Sequence, residues 1–294
     1  MTPWLSRPAA QHAMRLALAL LACLLAAWVE WQRPVLPTRL DEALRDRLLH
    51  LSADPAPDTR VAVIDIDETS LRQLGPWPWP RQRMADLLEI LLSHYQVRAI
   101  GVDILFPEPA DPIGDARLAM LAAHAPVTLA QILDYPERDT PLRQGALAGG
   151  LPADPAQPAL GAQGYLANHA GLSATARCLG NIGYQPDADG VLRRLPVLTR
   201  YQGRDYPMFA ATLIDCARAP NAASVLPLAA GASWRLPYPR AWPAYTVAPA
   251  AEVLAQRLPT QLLAGRYVLV GSSSLSLGDH VSTPLAPLNA GVLV

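Results

Sequence analysis

The uninterrupted apolar run Leu16–Val29, LALALLACLLAAWV, constrains this chain more than any other feature of its sequence. As a helix it covers only ~21 Å of a ~30 Å hydrocarbon core. Extension from Ala13 to Trp31 brings it to ~28 Å, with Arg15 and Glu30 reaching outward to the two interfaces. Trp28 and Trp31 then share one interfacial belt. A cleaved signal peptide competes with this reading, because Arg7 and Arg15 form a basic region before a short apolar stretch. No small-x-small cleavage site follows, however, and Glu30 and Trp31 abut the run. Leu20–Cys23 has the outline of a lipoprotein box, yet apolar residues continue past the cysteine. A buried core helix is the third reading. The run is expected to be an uncleaved signal anchor over residues 13–31. Charge leaves its orientation open, since Arg7 and Arg15 precede the span and Arg33, Arg39, Arg45 and Arg47 follow it.

Composition narrows the chemistry. All 24 basic residues are arginine, and the chain has no lysine. A lysine Schiff base and a P-loop phosphate site are therefore excluded. A net charge of -1 leaves no electrostatic footprint for nucleic acid. Thirty prolines in 294 residues argue for many loops and against a helical bundle.

Beyond the span, Leu36, Leu40, Leu44, Leu48 and Leu51 recur at helical spacing, with Thr38 as a cap and Asp41 and Glu42 in the first turn. Asp54-Pro55-Ala56-Pro57 ends that helix. Val61–Ile66 and Arg98–Phe106 read as buried strands. Between them, Gly75 stops a helical turn at Leu71–Leu74. Pro76–Pro80 forms a rigid aromatic loop, and Arg81–Tyr95 carries one apolar helical face. Asp115–His124 reads as helix and Val127–Leu133 as strand. Asp134–Gln163 looks like an irregular excursion. Val191–Tyr201 reads as one strand after a turn at Asp187–Gly190. Helix at Pro207–Ala217, strand at Ser233–Tyr238, helix at Glu252–Leu258 and strand at Arg266–Gly271 complete the pass. Alternating strands and helices predict an α/β fold, a mostly parallel sheet flanked by helices.

Acidic and hydroxyl residues gather at the carboxyl ends of these strands, where ligands bind in open parallel sheets. Asp65, Asp67 and Glu68 end the first strand, and Asp103 lies in the second. Ser272, Ser273 and Ser274 follow the last, ahead of Asp279. Asp67 suits a helix cap equally well. Asp65 and Asp103 lie in apolar runs and need a partner: Arg81, Arg193 or Arg194, a metal, or a protonated ligand. The candidate small-ligand or cation pocket comprises Asp65, Asp67, Asp103, Ser272 and Asp279. Trp77 and Trp79 form an aromatic wall for it or pack over the first helix. His280 beside Asp279 offers a metal ligand or a pH sensor, while the other histidines lack ligand spacing. The serines lie outside any G-x-S-x-G elbow. Cys178 and Cys216 form one disulfide or remain two buried thiols. No cofactor is expected, and the identity of any metal is open.

Two resemblances follow from these blocks. Asp65-Ile66-Asp67-Glu68-Thr69 resembles the D-x-D-x-T motif of the haloacid dehalogenase superfamily, which implies a magnesium-dependent phosphohydrolase with Asp65 attacking phosphorus. That family needs a lysine this chain lacks, and an acid where Thr283 stands. The wider match is VAVIDIDETSLRQLGPWPWPR, RAIGVDILFPEP, DADGVLRRLP and LLAGRYVLVGSSSLSLGDHVSTPL in order. It resembles the type-2 CHASE domain, the cyclase/histidine-kinase-associated sensory extracellular domain, over roughly residues 36–294. The resemblance implies an extracytoplasmic sensor at the bacterial inner membrane: residues 1–12 cytoplasmic, 13–31 spanning, 32–294 sensory. It implies a homodimer, an unknown small ligand or envelope stimulus, and no catalysis by this chain. Members continue into further spans and a cyclase or kinase output, which this chain, ending at Val294, does not contain. A ligand-free structural or interaction domain is the remaining reading.

Overall fold

The computed structural model describes residues 8–32, 35–219, 222–274 and 280–293, in two compact units. The first is helical over its described residues, 8–32 and 35–52. Helix α1 (Pro8–Gln32) contains a stretch, Gln11–Val29, long and apolar enough to cross a membrane, and none of that stretch is buried. Helix α2 (Val35–Ser52) begins before Thr38, so Thr38 lies inside the helix and is not its cap. Leu40, Leu44, Leu48 and Leu51 are exposed along it.

Residues 53–294 form an α/β unit. Its first half holds β1 (Val61–Asp65), α3 (Glu68–Leu74), α4 (Arg81–Ser93), β2 (Ala99–Val102), α5 (Pro112–His124) and β3 (Val127–Asp134). Then come β4 (Arg143–Gln144), β5 (Leu151–Pro152), β6 (Leu160–Gly161), β7 (Gly164–Leu166), α6 (Ala170–Ser173) and β8 (Cys178–Asn181). Next are β9 (Arg194–Pro196), β10 (Leu198–Tyr201), β11 (Arg204–Pro207) and α7 (Phe209–Cys216). The chain ends with β12 (Ser233–Arg235), β13 (Thr246–Pro249), α8 (Ala250–Leu254), β14 (Tyr267–Gly271), β15 (His280–Val281) and β16 (Asn289–Ala290).

The main sheet runs β13-β1-β14-β2-β3, with β8 also on β3, and all these pairs are parallel. Only the far end of β3 turns to an antiparallel partner, β7. Strand β14, the last of this sheet in chain order, is inserted between β1 and β2. Three features differ from the sequence reading. The excursion after Asp134 supplies β5 and β6 to a second sheet with β11 and β10. Val191–Tyr201 is two strands in two sheets, divided at Val197. Strands β8 and β13 escape hydrophobic periodicity because each is short and has only one strand neighbour in the sheet.

Alternation along the strands decides which face each side chain serves. Ala62, Ile64, Val268, Val270, Ile100 and Val102 point to the face covered by α4, α5 and α8. With Met84, Leu87, Leu88 and Leu91 they form the main core. The opposite face carries Val63, Gly101 and Leu269, and α7 lies on its β2-β3-β8 side. Two glycines permit that approach. A Cβ on Gly101 would meet the Phe209 ring at 2.9 Å, and one on Gly180 would meet the Phe209 Cα at 2.5 Å. Cys178 and Cys216 are joined as a disulfide, with Cα atoms 6.0 Å apart, tying the start of β8 to the end of α7.

Candidate functional site

The strand ends hold a closed lattice of carboxylates and hydroxyls. Asp65 is buried and accepts hydrogen bonds from the Ser273 backbone N–H (2.7 Å) and from the Ser273 hydroxyl. Ser272 donates to the Ile66 carbonyl at 2.8 Å, and Ser274 donates to Glu68 at 2.6 Å. Asp67 caps α3 by accepting from the Ser70 N–H at 2.7 Å. The lattice thus staples the end of β1 to the loop after β14. Thr283 accepts from the Asn289 amide at 2.7 Å within a turn. Asp279 and Gly278 lie outside the described residues. Among the described residues no three His, Cys, Asp or Glu side chains group as metal ligands.

The arginine partners expected for Asp65 go elsewhere. Arg193 binds Asp187 and Asp189 at 3.1 and 2.9 Å, and Arg194 binds Asp187 at 2.7 Å. This knot closes the Asp187–Gly190 turn, and the Arg193 hydrogen bond holds the Asp189 carboxyl below the usual range. Arg81 stacks on Phe106, 4.4 Å from the ring centroid, and faces Asp115 at 3.5 Å. Asp65 is met by Ser273 because β14 pairs alongside β1, with Gly271 opposite Asp65, which sets the following loop at that strand end. Trp79 is sealed in the main core at 1% exposure, and Trp77 packs beside it.

Facing the Ser273 hydroxyl and backbone N–H, Asp65 titrates above its ordinary range. Burial pushes its carboxyl above the ordinary range, the Ser273 hydrogen bonds pull it back, and Asp67 adds a further push upward. The folded state therefore holds this proton more tightly than the unfolded chain. Stability from Asp65 falls as pH rises from the ordinary aspartate value through the raised one, and is constant above it. Asp65→Asn is expected to cost roughly 1–3 kcal/mol at low pH, since the amide brings a second N–H donor where the protonated carboxyl has one O–H. The gap to wild type should narrow as pH rises through that window. Melting curves from pH 3.5 to 8 read this, and a gap that does not move with pH would refute the raised titration.

Sequence reasoning missed a cleft on the sheet's second face. It has a volume of about 560 Å³ and is floored by Val61 and Leu269. Phe209, Leu213 and Ile214 of α7 form one wall, Leu192, Leu195 and Pro196 a second, and the C-terminal segment a third through Val281, Gly291 and Val292. Val292 packs on Val63, so close to Gly271 that a Cβ there would meet it at 2.5 Å. The Leu192 N–H donates to the Ser282 carbonyl at 2.8 Å, and β15 pairs with β16. Among the described residues singled out from sequence, only Asp103 lines this cleft, half-buried and with a partner of its own. The sequence signal was the apolar second face of β1 and β14, which needs cover, but what covers it comes from residues 192–292.

These features define an α/β domain with a candidate membrane helix ahead of it and an apolar cleft beside its C-terminal segment. Residues 17–294 match the family model for the CHASE2 domain, and the chain belongs to that family. CHASE2 is a sensory, extracellular, non-catalytic domain of membrane receptors. No curated protein and no solved structure matches the chain.

Proposed function

We propose that this chain is the membrane-anchored sensory part of a bacterial receptor, and that occupancy of the cleft is the event it senses. Residues 1–12 lie in the cytoplasm, 13–31 span the inner membrane and 32–294 stand on the extracytoplasmic side. The receptor works as a homodimer and drives a cyclase or kinase output outside this stretch of sequence. Family membership, the apolar α1 and a disulfide suited to an oxidising compartment support that arrangement.

One observation carries the mechanism: the C-terminal segment is itself a wall of the cleft. The α7 wall is anchored, since Phe209 packs on Gly101 and Gly180 and the disulfide ties its end to β8. The segment is held by a two-residue strand pair, the Leu192–Ser282 hydrogen bond and Val292. A ligand touching both sides favours one position of the segment, and that bias is the signal. The missing lysine weighs against the competing phosphohydrolase reading, and Asp67, its acid/base candidate, is engaged as the cap of α3.

Filling the cleft should reproduce the effect of a ligand. Ala210 is exposed on α7 at the cleft lining. In the full chain, Ala210→Trp is expected to alter amide hydrogen exchange across residues 280–293 as well as on α7. Changes confined to α7 would disconnect the cleft from the segment and sink this reading.

A further inference from the structure

We propose that the cleft takes a neutral, largely hydrocarbon molecule, and not an ion or a charged metabolite. This deepens the sensory reading and rests on it. The volume of about 560 Å³ falls within the range of small-molecule sites. Its floor and walls are predominantly aliphatic or aromatic where they meet the space, through Leu269, Phe209, Leu213, Leu195, Val281 and Val292.

The charged groups at the lining each have a partner in the structure. Arg60 gives two N–H groups to Asp58, at 3.3 and 2.9 Å. Asp134 accepts from Arg138 at 2.8 Å, and Asp103 is engaged too. Asn181 and Tyr135 of the lining bond to each other. Asn181 accepts from the Leu133 and Gly183 N–H groups, and its amide donates to Tyr135 and Thr199, each at 2.9 Å. Burial pushes the Tyr135 phenol up to about 12, so it stays uncharged at neutral pH. An ion entering this space would lose its water and compete with those existing pairs for a counter-charge, whereas a hydrocarbon gains by leaving water.

The test uses the full chain in lipid nanodiscs, titrated with 1-alkanols of rising length, the matched alkanoates and the matched alkyltrimethylammonium ions. Ala210→Trp and Ile214→Trp, two cleft-filling variants on the exposed side of α7, are run in parallel to subtract uptake by lipid. Saturable alcohol binding should tighten roughly fourfold per added methylene until the space is full. It should weaken roughly tenfold or more in either filled variant, and the charged analogues should bind roughly tenfold or more weakly than the alcohols. Alkanoates or ammonium ions binding as tightly as alcohols would overturn the ligand class and leave the sensory reading standing. Alcohol binding untouched by both tryptophans would place the site elsewhere and overturn the proposal. Alcohol binding without any change of exchange in residues 280–293 would keep the ligand class and remove the sensory reading.

Discussion

Trp79→Ala is expected to destabilise the α/β unit by about 3–5 kcal/mol, the cost of emptying a fully packed indole site. For a unit of this size, that lowers the melting temperature on the order of 10 °C. The indole is in the main core, and its Nε1 donates to the Gly75 carbonyl at 2.9 Å. Gly75 ends α3 at a φ of 96°, a region that costs glycine nothing, and its N–H bonds back to Leu71. Arg83 lies 5.6 Å over the ring and donates to the Leu74 carbonyl, so the loop is fastened to α4 through the same residue. Trp77→Ala should cost under about 2 kcal/mol, because part of that ring is already in water. Melting of the two variants side by side checks this. If Trp79→Ala melted within about 2 °C of wild type, its place in the core would be wrong.

Loss of the Cys178–Cys216 disulfide should be nearly as costly. The cysteines are 38 residues apart, and releasing a loop of that length costs about 4 kcal/mol in the chain-entropy view. The loss also frees the end of α7, where Arg177 donates to the Cys216 carbonyl at 2.7 Å. Cys178→Ala/Cys216→Ala should melt on the order of 10 °C lower, and reductant should move wild type to the same point. A wild type whose melting ignores reductant would show that the bond contributes nothing. Because Leu213 and Ile214 sit within one turn of Cys216, the reduced protein should also bind cleft ligands less tightly.

The elements legible in sequence share a physical cause. Strands β1, β2, β3 and β14 are apolar and β-branched because both sheet faces are covered, and α4 shows a clean apolar stripe because only one of its faces is. The knot of Asp187 and Asp189 on Arg193 and Arg194 is local, and its turn was readable. The elements missed have weak local signals. Strand β8, Cys-Leu-Gly-Asn, carries one large apolar residue, and β13 ends in proline. The break at Val197 is invisible locally, since two different sheets claim the two halves of one extended run.

The candidate site divides the same way. Sequence alone located the carboxylates and serines at strand ends, where parallel topology must bring them together. It could not say that Ser273 satisfies Asp65, because those residues are 208 positions apart and their meeting depends on β14 entering between β1 and β2. Nor could it show the cleft, which joins a floor at Val61 to a wall at Val292 and has no motif of its own.

What the sequence determined by itself was the apolar helix, the α/β class and the ordered family blocks, all carried by local periodicity and short motifs. What only the tertiary structure decided was which face each strand offers, which carboxylates are quenched and where an apolar space remains. Those depend on contacts between distant segments, and no local pattern of residues encodes them.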